Sequence, residues 1–345
     1  MPGVTYKCPS CGGYLAFDPE TQRWKCPFCD SEFDESGLNE KDEASAQAAS
    51  YPGEGGQLVY RCPSCGSEIM TDETTVSTHC YYCHSPVVLE GKLTDEWLPD
   101  TVLPFTIDKE QAVDTFMNWV KGKRYVPNAF FSRAQVEKMS GVYYPHFVTE
   151  CEVEGAVEGE GRQISVMETS NEVITSTRHY RVRREGVMTF RDILRPALKK
   201  TNRKLSDGIH PFPLEKEKPF SGSYLTGFLA ERRDIDESEI LPDIQNEVAG
   251  YVEPLLDDTL HYDSCSVTPS SRVTRTQSRY VLLPTWVLTY PNKKNPEDPY
   301  YYAMNGCTGE VCGKLPVDKS KLRRTGLIVF AAVLVIGCIL SYFMF

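Results

Sequence analysis

The chain lacks an apolar run at its start. Met1 to Lys7 has nothing like the hydrophobic stretch of a cleavable secretion signal. It also lacks the familiar catalytic patterns: no P-loop lysine motif, no G-x-S-x-G elbow and no H-E-x-x-H pair. His146, His179, His210 and His261 stand apart, with no acid or nucleophile pattern beside them. The expectation is a protein that is not an enzyme. Positive charge is short as well, with 37 Lys and Arg against 48 Asp and Glu and a formal net charge of −11. Such a chain repels phosphate backbones overall, which argues against sequence-independent nucleic-acid binding.

What is present begins with cysteine. Eight of the 13 cysteines fall in the first 83 residues as four C-x-x-C pairs. Without secretion the compartment is expected to be reducing, so paired cysteines read as metal ligands in preference to disulfides. The pairs belong to an internal repeat. Residues 6–33, YKCPSCGGYLAFDPETQRWKCPFCDSEF, align without gaps on residues 60–87, YRCPSCGSEIMTDETTVSTHCYYCHSPV. Each copy is C-x2-C-x14-C-x2-C, a spacing in which a hairpin brings the second pair opposite the first around a tetrahedral ion. Gly12 and Gly66 follow the second cysteine of a pair, where the turn takes φ positive.

The expected ligands are therefore Cys8, Cys11, Cys26 and Cys29 for one Zn²⁺, and Cys62, Cys65, Cys80 and Cys83 for a second. Four thiolates leave no open coordination position, so both sites should be structural. Iron suits the same ligand set and is not excluded by it. A dithiol redox motif would be one pair beside a βαβ pattern, which is not the arrangement here. His79 and His84 adjoin ligands but are superfluous to a complete quartet. Cys307 and Cys312, four residues apart across a turn, are a weaker candidate for a further metal site. Cys151 and Cys338 read as buried or membrane-embedded thiols.

The expected fold class is multidomain: two small β zinc ribbons (1–33 and 57–87), a mixed α+β domain (88–316) and a C-terminal transmembrane helix (326–345). Residues 34–56, rich in Asp, Glu, Ala and Ser, read as a flexible acidic linker. In the central domain Asp108 to Lys121 reads as a helix with Asp108 capping and Gln111 closing a box. Ser132 and Gln135 suggest a second box before a short helix that stops near Gly141. Asp236 to Leu256 reads as a longer helix with Ile240, Ile244, Val248, Tyr251 and Leu255 inward. Strands are expected at 147–157, 175–183 and 187–193, with Glu185-Gly186 as a hairpin turn. Further strands follow at 272–283, 284–290 and 300–305, with a short last strand near Val311.

Two charge features complete the reading. From Arg178 to Lys204 stand ten basic residues and two acids. This stretch suits a strand face paired with acids elsewhere, an anionic lipid surface, an acidic partner, or nucleic acid. Gly326 to Phe345 carries no charge in 20 residues, enough at about 1.5 Å each for a bilayer core of roughly 30 Å. Lys319, Lys321, Arg323 and Arg324 precede it and mark the cytoplasmic side. The expectation is a single-pass tail anchor in the cell membrane, with the N-terminal bulk in the cytoplasm. Residues 316–325 would form a tether reaching no more than about 33 Å.

The sequence resembles a bacterial family of double-zinc-ribbon proteins with a C-terminal membrane helix. The resemblance rests on the paired CPSCG ribbons, TDETTVSTHCYYCHSPVVL, LPFTIDKEQA, FFSRAQVEKMSGVYYP, LLPTWVLTY and YYYAMNGCTGEVCGKLP. Members are labelled zinc-ribbon, primosomal-helicase-like or phage-replication-like proteins. The resemblance implies the same eight cysteine ligands and, for some members, association with phage-shock-type or flotillin-like (SPFH) membrane-stress proteins. Cys307 stands where the family pattern AMNGxTG leads one to expect glutamine. These features together suggest a non-enzymatic adaptor whose ribbons reach out from a membrane-bound body to recruit proteins. The alternative is a nucleic-acid-binding ribbon protein of replication or transcription type, tethered to the membrane. Against it, residues 6–33 hold three basic and four acidic side chains.

Overall fold

The computed structural model describes all residues except 1–3, 39–50, 53–57, 63, 90–91, 94–96, 170–171, 202, 293–294, 296–298 and 345. Most of the expected 34–56 linker thus lies outside the described residues. The first ribbon is a three-stranded antiparallel sheet of β1 (Ala16–Asp18), β2 (Arg23–Lys25) and β3 (Glu32–Phe33). The second ribbon is shared between two sheets. β4 (Tyr51–Pro52), β5 (Leu58–Arg61) and β6 (Glu68–Thr71) form one. β7 (Thr75–His79) and β8 (Pro86–Val88) pair with each other and join the large central sheet.

That ten-stranded sheet also contains β9 (Thr101–Val102). Helix α1 (Lys109–Lys121) follows, with Asp108 accepting the Gln111 N–H at 2.7 Å and Ala112, Phe116 and Val120 buried. The predicted second capping box does not form. In α2 (Arg133–Val136) the Ser132 hydroxyl donates backward to the Ala129 carbonyl, and the Gln135 amide reaches the Thr289 carbonyl at 2.6 Å.

Two long strands come next, β10 (Ser140–Glu168) and β11 (Val173–Pro196). Glu185-Gly186 is not a turn. Gly186 lies directly opposite Gly155 within the β10–β11 ladder, which continues without a shift to Glu168 opposite Val173. Continuous pairing on both sides carries the strand through Gly186 even though glycine weakens a strand interior, so the turn signal is overridden. Short α3 (Arg203–Asp207), β12 (Lys218–Pro219) and β13 (Leu229–Glu231) lead to α4 (Glu237–Asp257). A capping box between Asp236 and Glu239 starts α4. Its buried stripe is Ile240, Ile244, Val248, Val252 and Leu256, while Tyr251 and Leu255 are about half exposed, one position away from the expected face. Val252 is turned inward because Gly155 leaves room for it: a Cβ on Gly155 would lie 2.4 Å from the Val252 methyl.

β14 (Ser264–Tyr290) runs through Pro284 without a break and pairs with β10 from Ser140 to Arg162. The two expected strands are therefore one. β15 (Tyr300–Asn305) and β16 (Val311–Lys314) finish the sheet. The core is centred on Phe105, Tyr143, Phe228 and Trp286, with Phe105 and Phe228 stacked at 4.2 Å. Gly306 is obligatory there, since a Cβ would come within 2.5 Å of the Phe105 ring.

Past Val157 the three long strands leave the core as a projecting arm. Each strand residue rises about 3.3 Å, so the 29 residues of β10 span roughly 95 Å of contour. Along the three long strands, outer-strand arginines meet central-strand acids: Arg183 with Glu158 (3.2 Å), Arg191 with Glu150 (2.8 Å) and Arg272 with Glu154 (3.5 Å). Nearer the core, Arg195 bonds Glu247, and Lys200 bridges Asp72 and Glu231 at 2.8 and 2.9 Å. Four of the ten basic residues from 178 to 204, Arg183, Arg191, Arg195 and Lys200, are thus paired with acids of the fold. Beyond Arg162 only a two-stranded tip remains, with Ile164, Val166, Met167, Val173 and Ile174 exposed.

Helix α5 (Lys319–Met344) is apolar and long enough to cross a membrane. It replaces the expected tether: helix begins at Lys319, and its first turn is bonded to the body. The Asp318 N–H donates to the Tyr125 carbonyl at 2.7 Å. Lys321 Nζ reaches the Val126 carbonyl and Asn128 Oδ1, both at 2.8 Å.

Candidate metal centres

A 28-residue ribbon buries too little to hold itself together, so small domains of this kind depend on a bound ion or on a neighbour. A cysteine quartet able to hold an ion and a neighbouring seat are both present. In each C-x-x-C knuckle the amide of the residue after the second cysteine donates to the carbonyl of the first. The four bonds are Gly12 to Cys8, Asp30 to Cys26, Gly66 to Cys62 and His84 to Cys80, all at 2.9 Å. The turn requires positive φ at that residue, and all four have it: 74°, 56°, 77° and 58°. Glycine was the legible signal at two of them; Asp30 and His84 adopt the same left-handed conformation at some steric cost.

These turns bring Cys8, Cys11, Cys26 and Cys29 together in one cluster and Cys62, Cys65, Cys80 and Cys83 in another, each with its ligand atoms within 4.8 Å of one another. Sulfur pairs lie at 3.5 and 3.6 Å in the first and 3.6 Å in the second. A tetrahedral ion with Zn–S near 2.3 Å requires edges of about 3.8 Å, so the donor sets fit Zn²⁺ with a small expansion. None of the cysteines is in a disulfide. Among the described residues no other His, Cys, Asp and Glu group has this arrangement.

A serine two residues after a cysteine recurs as a partner to sulfur. Ser31 Oγ is 3.3 Å from Cys29, Ser67 Oγ 3.2 Å from Cys65, and Ser85 Oγ 3.4 Å from Cys83. The Ser31 hydroxyl, followed by its N–H, pulls the Cys29 thiol down to about 6, and Ser67 does the same for Cys65. Each quartet therefore offers one thiolate at neutral pH before any metal arrives. Cys62 moves the other way, to about 12, chiefly through burial. His79 ends β7 and lines a recess of about 410 Å³ with Pro19, Lys109 and Trp286, while His84 is exposed.

The remaining candidates disperse. Cys307 Sγ faces the Pro104 carbonyl at 3.2 Å, and Cys312 Sγ faces the Lys204 carbonyl at 3.9 Å. Burial raises both thiols, Cys307 to about 12. Cys151 is buried in β10, Cys265 lies in β14 and Cys338 in α5. One pairing was not legible in sequence: His146 Nε2 is 2.8 Å from Ser206 Oγ, and its Nδ1 is 3.1 Å from the Tyr144 carbonyl. Both side chains are about 3% exposed, and burial lowers the imidazole to about 4, so the neutral ring serves to tie α3 to β10.

Both ribbons are seated on the segment 222–231. The Phe17 N–H donates to the Thr226 carbonyl at 3.0 Å, and Phe17, Trp24 and Tyr224 form an aromatic triangle with centroids 5.2–5.3 Å apart. Ser77 Oγ bonds the Leu225 and Phe228 carbonyls, and β7 pairs with β13. Val4 exchanges both backbone bonds with Val88, joining the two ribbons. What the ribbons leave outside is aromatic: Phe28, Tyr81 and Tyr82, between the cysteines of the second pairs, are 66%, 70% and 72% exposed.

The chain is similar to the uncharacterized protein YdjG of Bacillus subtilis (strain 168), with 29% identity over 321 residues, 92% of each chain. No protein-family profile and no solved structure matches it.

Proposed function

We propose that this protein is a non-enzymatic adaptor, anchored by α5 in the cell membrane with its bulk in the cytoplasm, that recruits other proteins through its zinc ribbons. The single observation that carries this reading is the placement of Phe28, Tyr81 and Tyr82. Each lies in a knuckle whose geometry a closed four-thiolate site fixes, and each turns its ring to solvent. Rigid exposed aromatics on a preorganised turn are what protein-docking surfaces use as anchors. The closed sites leave no coordination position for hydrolytic chemistry.

Charge favours a protein over nucleic acid as the ligand. In the first ribbon Arg23 pairs with Glu32 and Asp34, and Lys25 pairs with Asp30, which leaves no basic track beside the exposed ring of Phe28. Stacking on nucleic acid needs such a track. The resemblance to double-zinc-ribbon membrane proteins extends the proposal to a membrane-stress role with phage-shock-type or SPFH partners.

The test is affinity recovery from detergent-solubilised membranes with the intact protein and with F28A/Y81A/Y82A, metal content being measured on both. Partners recovered only by the intact protein, at equal zinc content, support recruitment through the knuckles. Identical recovery by both overturns it. Retention on DNA or RNA that falls steeply with salt would instead point to the nucleic-acid reading.

A further inference from the structure

The bonds between α5 and the body fix which surface meets the lipid. About eight residues separate Asp318 from Gly326, where the uncharged run begins, or roughly 12 Å along a helix. Headgroups occupy only about 5–8 Å on each side of the hydrocarbon core. Tyr125, Val126 and Asn128, which bond the first turn of α5, are therefore held at the edge of the headgroup layer whenever α5 spans the bilayer.

The residues immediately before them are Lys121, Gly122, Lys123 and Arg124, all exposed at the end of α1. No acid occurs from Thr115 to Val136, in a chain whose net charge is −11. Lys121, Lys123, Arg124, Arg323 and Arg324 have no carboxylate partner among the described residues, unlike Arg183 and Arg191. Trp119, with Lys123 5.3 Å above its ring, and Tyr125 are half-buried beside them. Aromatic rings next to unpaired cations at headgroup depth match the chemistry of an anionic lipid surface. A phosphodiester headgroup would replace the missing carboxylates. The cations lie within a Debye length of about 8 Å of such a surface.

We propose that the end of α1, Lys121 to Tyr125, is a second membrane contact that binds anionic phospholipid headgroups and holds the body upright on the bilayer. This rests on the reading of α5 as a membrane span. The foot is contributed about 200 residues before the anchor, and only the fold brings the two together.

The experiment uses the full chain in nanodiscs of phosphatidylcholine alone or with added phosphatidylglycerol, following hydrogen exchange at 119–128. Anionic discs should slow exchange there by on the order of tenfold, and K121Q/K123Q/R124Q or high salt should abolish the effect. The three positions are exposed, so unchanged protection of β14 and unchanged zinc content establish that the variant is folded. Equal exchange in both discs, or protection that survives in the variant, overturns the foot. Alkaline carbonate extraction separates the two readings. A chain that resists extraction but shows no lipid dependence loses only the foot. A chain that is extracted loses the span and the foot together.

Discussion

Trp24 donates its indole N–H to the backbone carbonyl of Ser223, 2.9 Å away and 199 residues further along the chain. The ring is 2% exposed and wedged between Phe17 and Tyr224. One side chain of a metal ribbon thus carries both the packing and the polar register of its seat on the body, so the ribbon is a fixed part of the molecule.

Trp24→Ala should loosen that seat. Removing a buried Trp costs about 3–5 kcal/mol in well-packed sites, and here the Ser223 carbonyl also loses one donor while keeping the Thr226 hydroxyl. Trp24→Phe should cost less, because the ring stack survives. Limited proteolysis should cut Trp24→Ala between the first ribbon and the body while both zinc ions stay bound. Resistance equal to wild type would show that the seat does not depend on this residue.

Metal analysis should return two zinc ions per chain and no visible absorption, and Cys62→Ala should reduce the content to one. Ser31→Ala and Ser67→Ala should raise the Cys29 and Cys65 thiols from about 6 toward the free-thiol value. Metal affinity should then fall by roughly 10–100-fold, with the pH midpoint of zinc uptake shifted upward. Zinc-uptake titrations at several pH values check both. An unshifted midpoint would mean that the hydroxyls do not tune the ligands.

Asp72 links the second ribbon to the body through Lys200. Burial alone would raise its carboxyl, but hydrogen bonds from Lys200 and from the Thr75 hydroxyl and N–H hold it well below the usual carboxylate range. A folded value below the unfolded one gives stability that is present above about pH 4 and lost as pH falls through the folded value. Asp72→Asn should therefore destabilise by about 1 kcal/mol at pH 7, a modest figure because the pair is half exposed. The gap between variant and wild type should begin to narrow below about pH 4. Denaturant melts from pH 7 to pH 3 measure it, and a gap independent of pH would assign the effect to something other than this charge.

Several elements could be read from the chain because their causes are local. Asp108 and the Ala112, Phe116, Val120 stripe define α1 within 13 residues. The knuckles follow from cysteine spacing and from Gly12 and Gly66. Where reading failed, a distant residue decided the outcome. Glu185-Gly186 carries a turn signal, yet the long β10–β11 ladder on both sides of it keeps it extended. The last turns of α4 bury Val252 in place of Tyr251 because Gly155 opens a space for it. Ser132 and Gln135 match a capping box, but the carbonyls of Ala129 and Thr289 compete for them.

By itself the sequence determined the two cysteine quartets, the mixed α and β body and an apolar C-terminal helix, since each depends on residues within a few turns of one another. Only the tertiary structure decided that the ribbons are seated on 222–231, that an arm leaves the core, and that Lys121 to Arg124 stand beside the start of α5. Those outcomes rest on backbone carbonyls such as those of Ser223, Thr226, Tyr125 and Val126. A carbonyl is the same group at every position in the chain, so nothing in the sequence marks which ones a distant side chain will find.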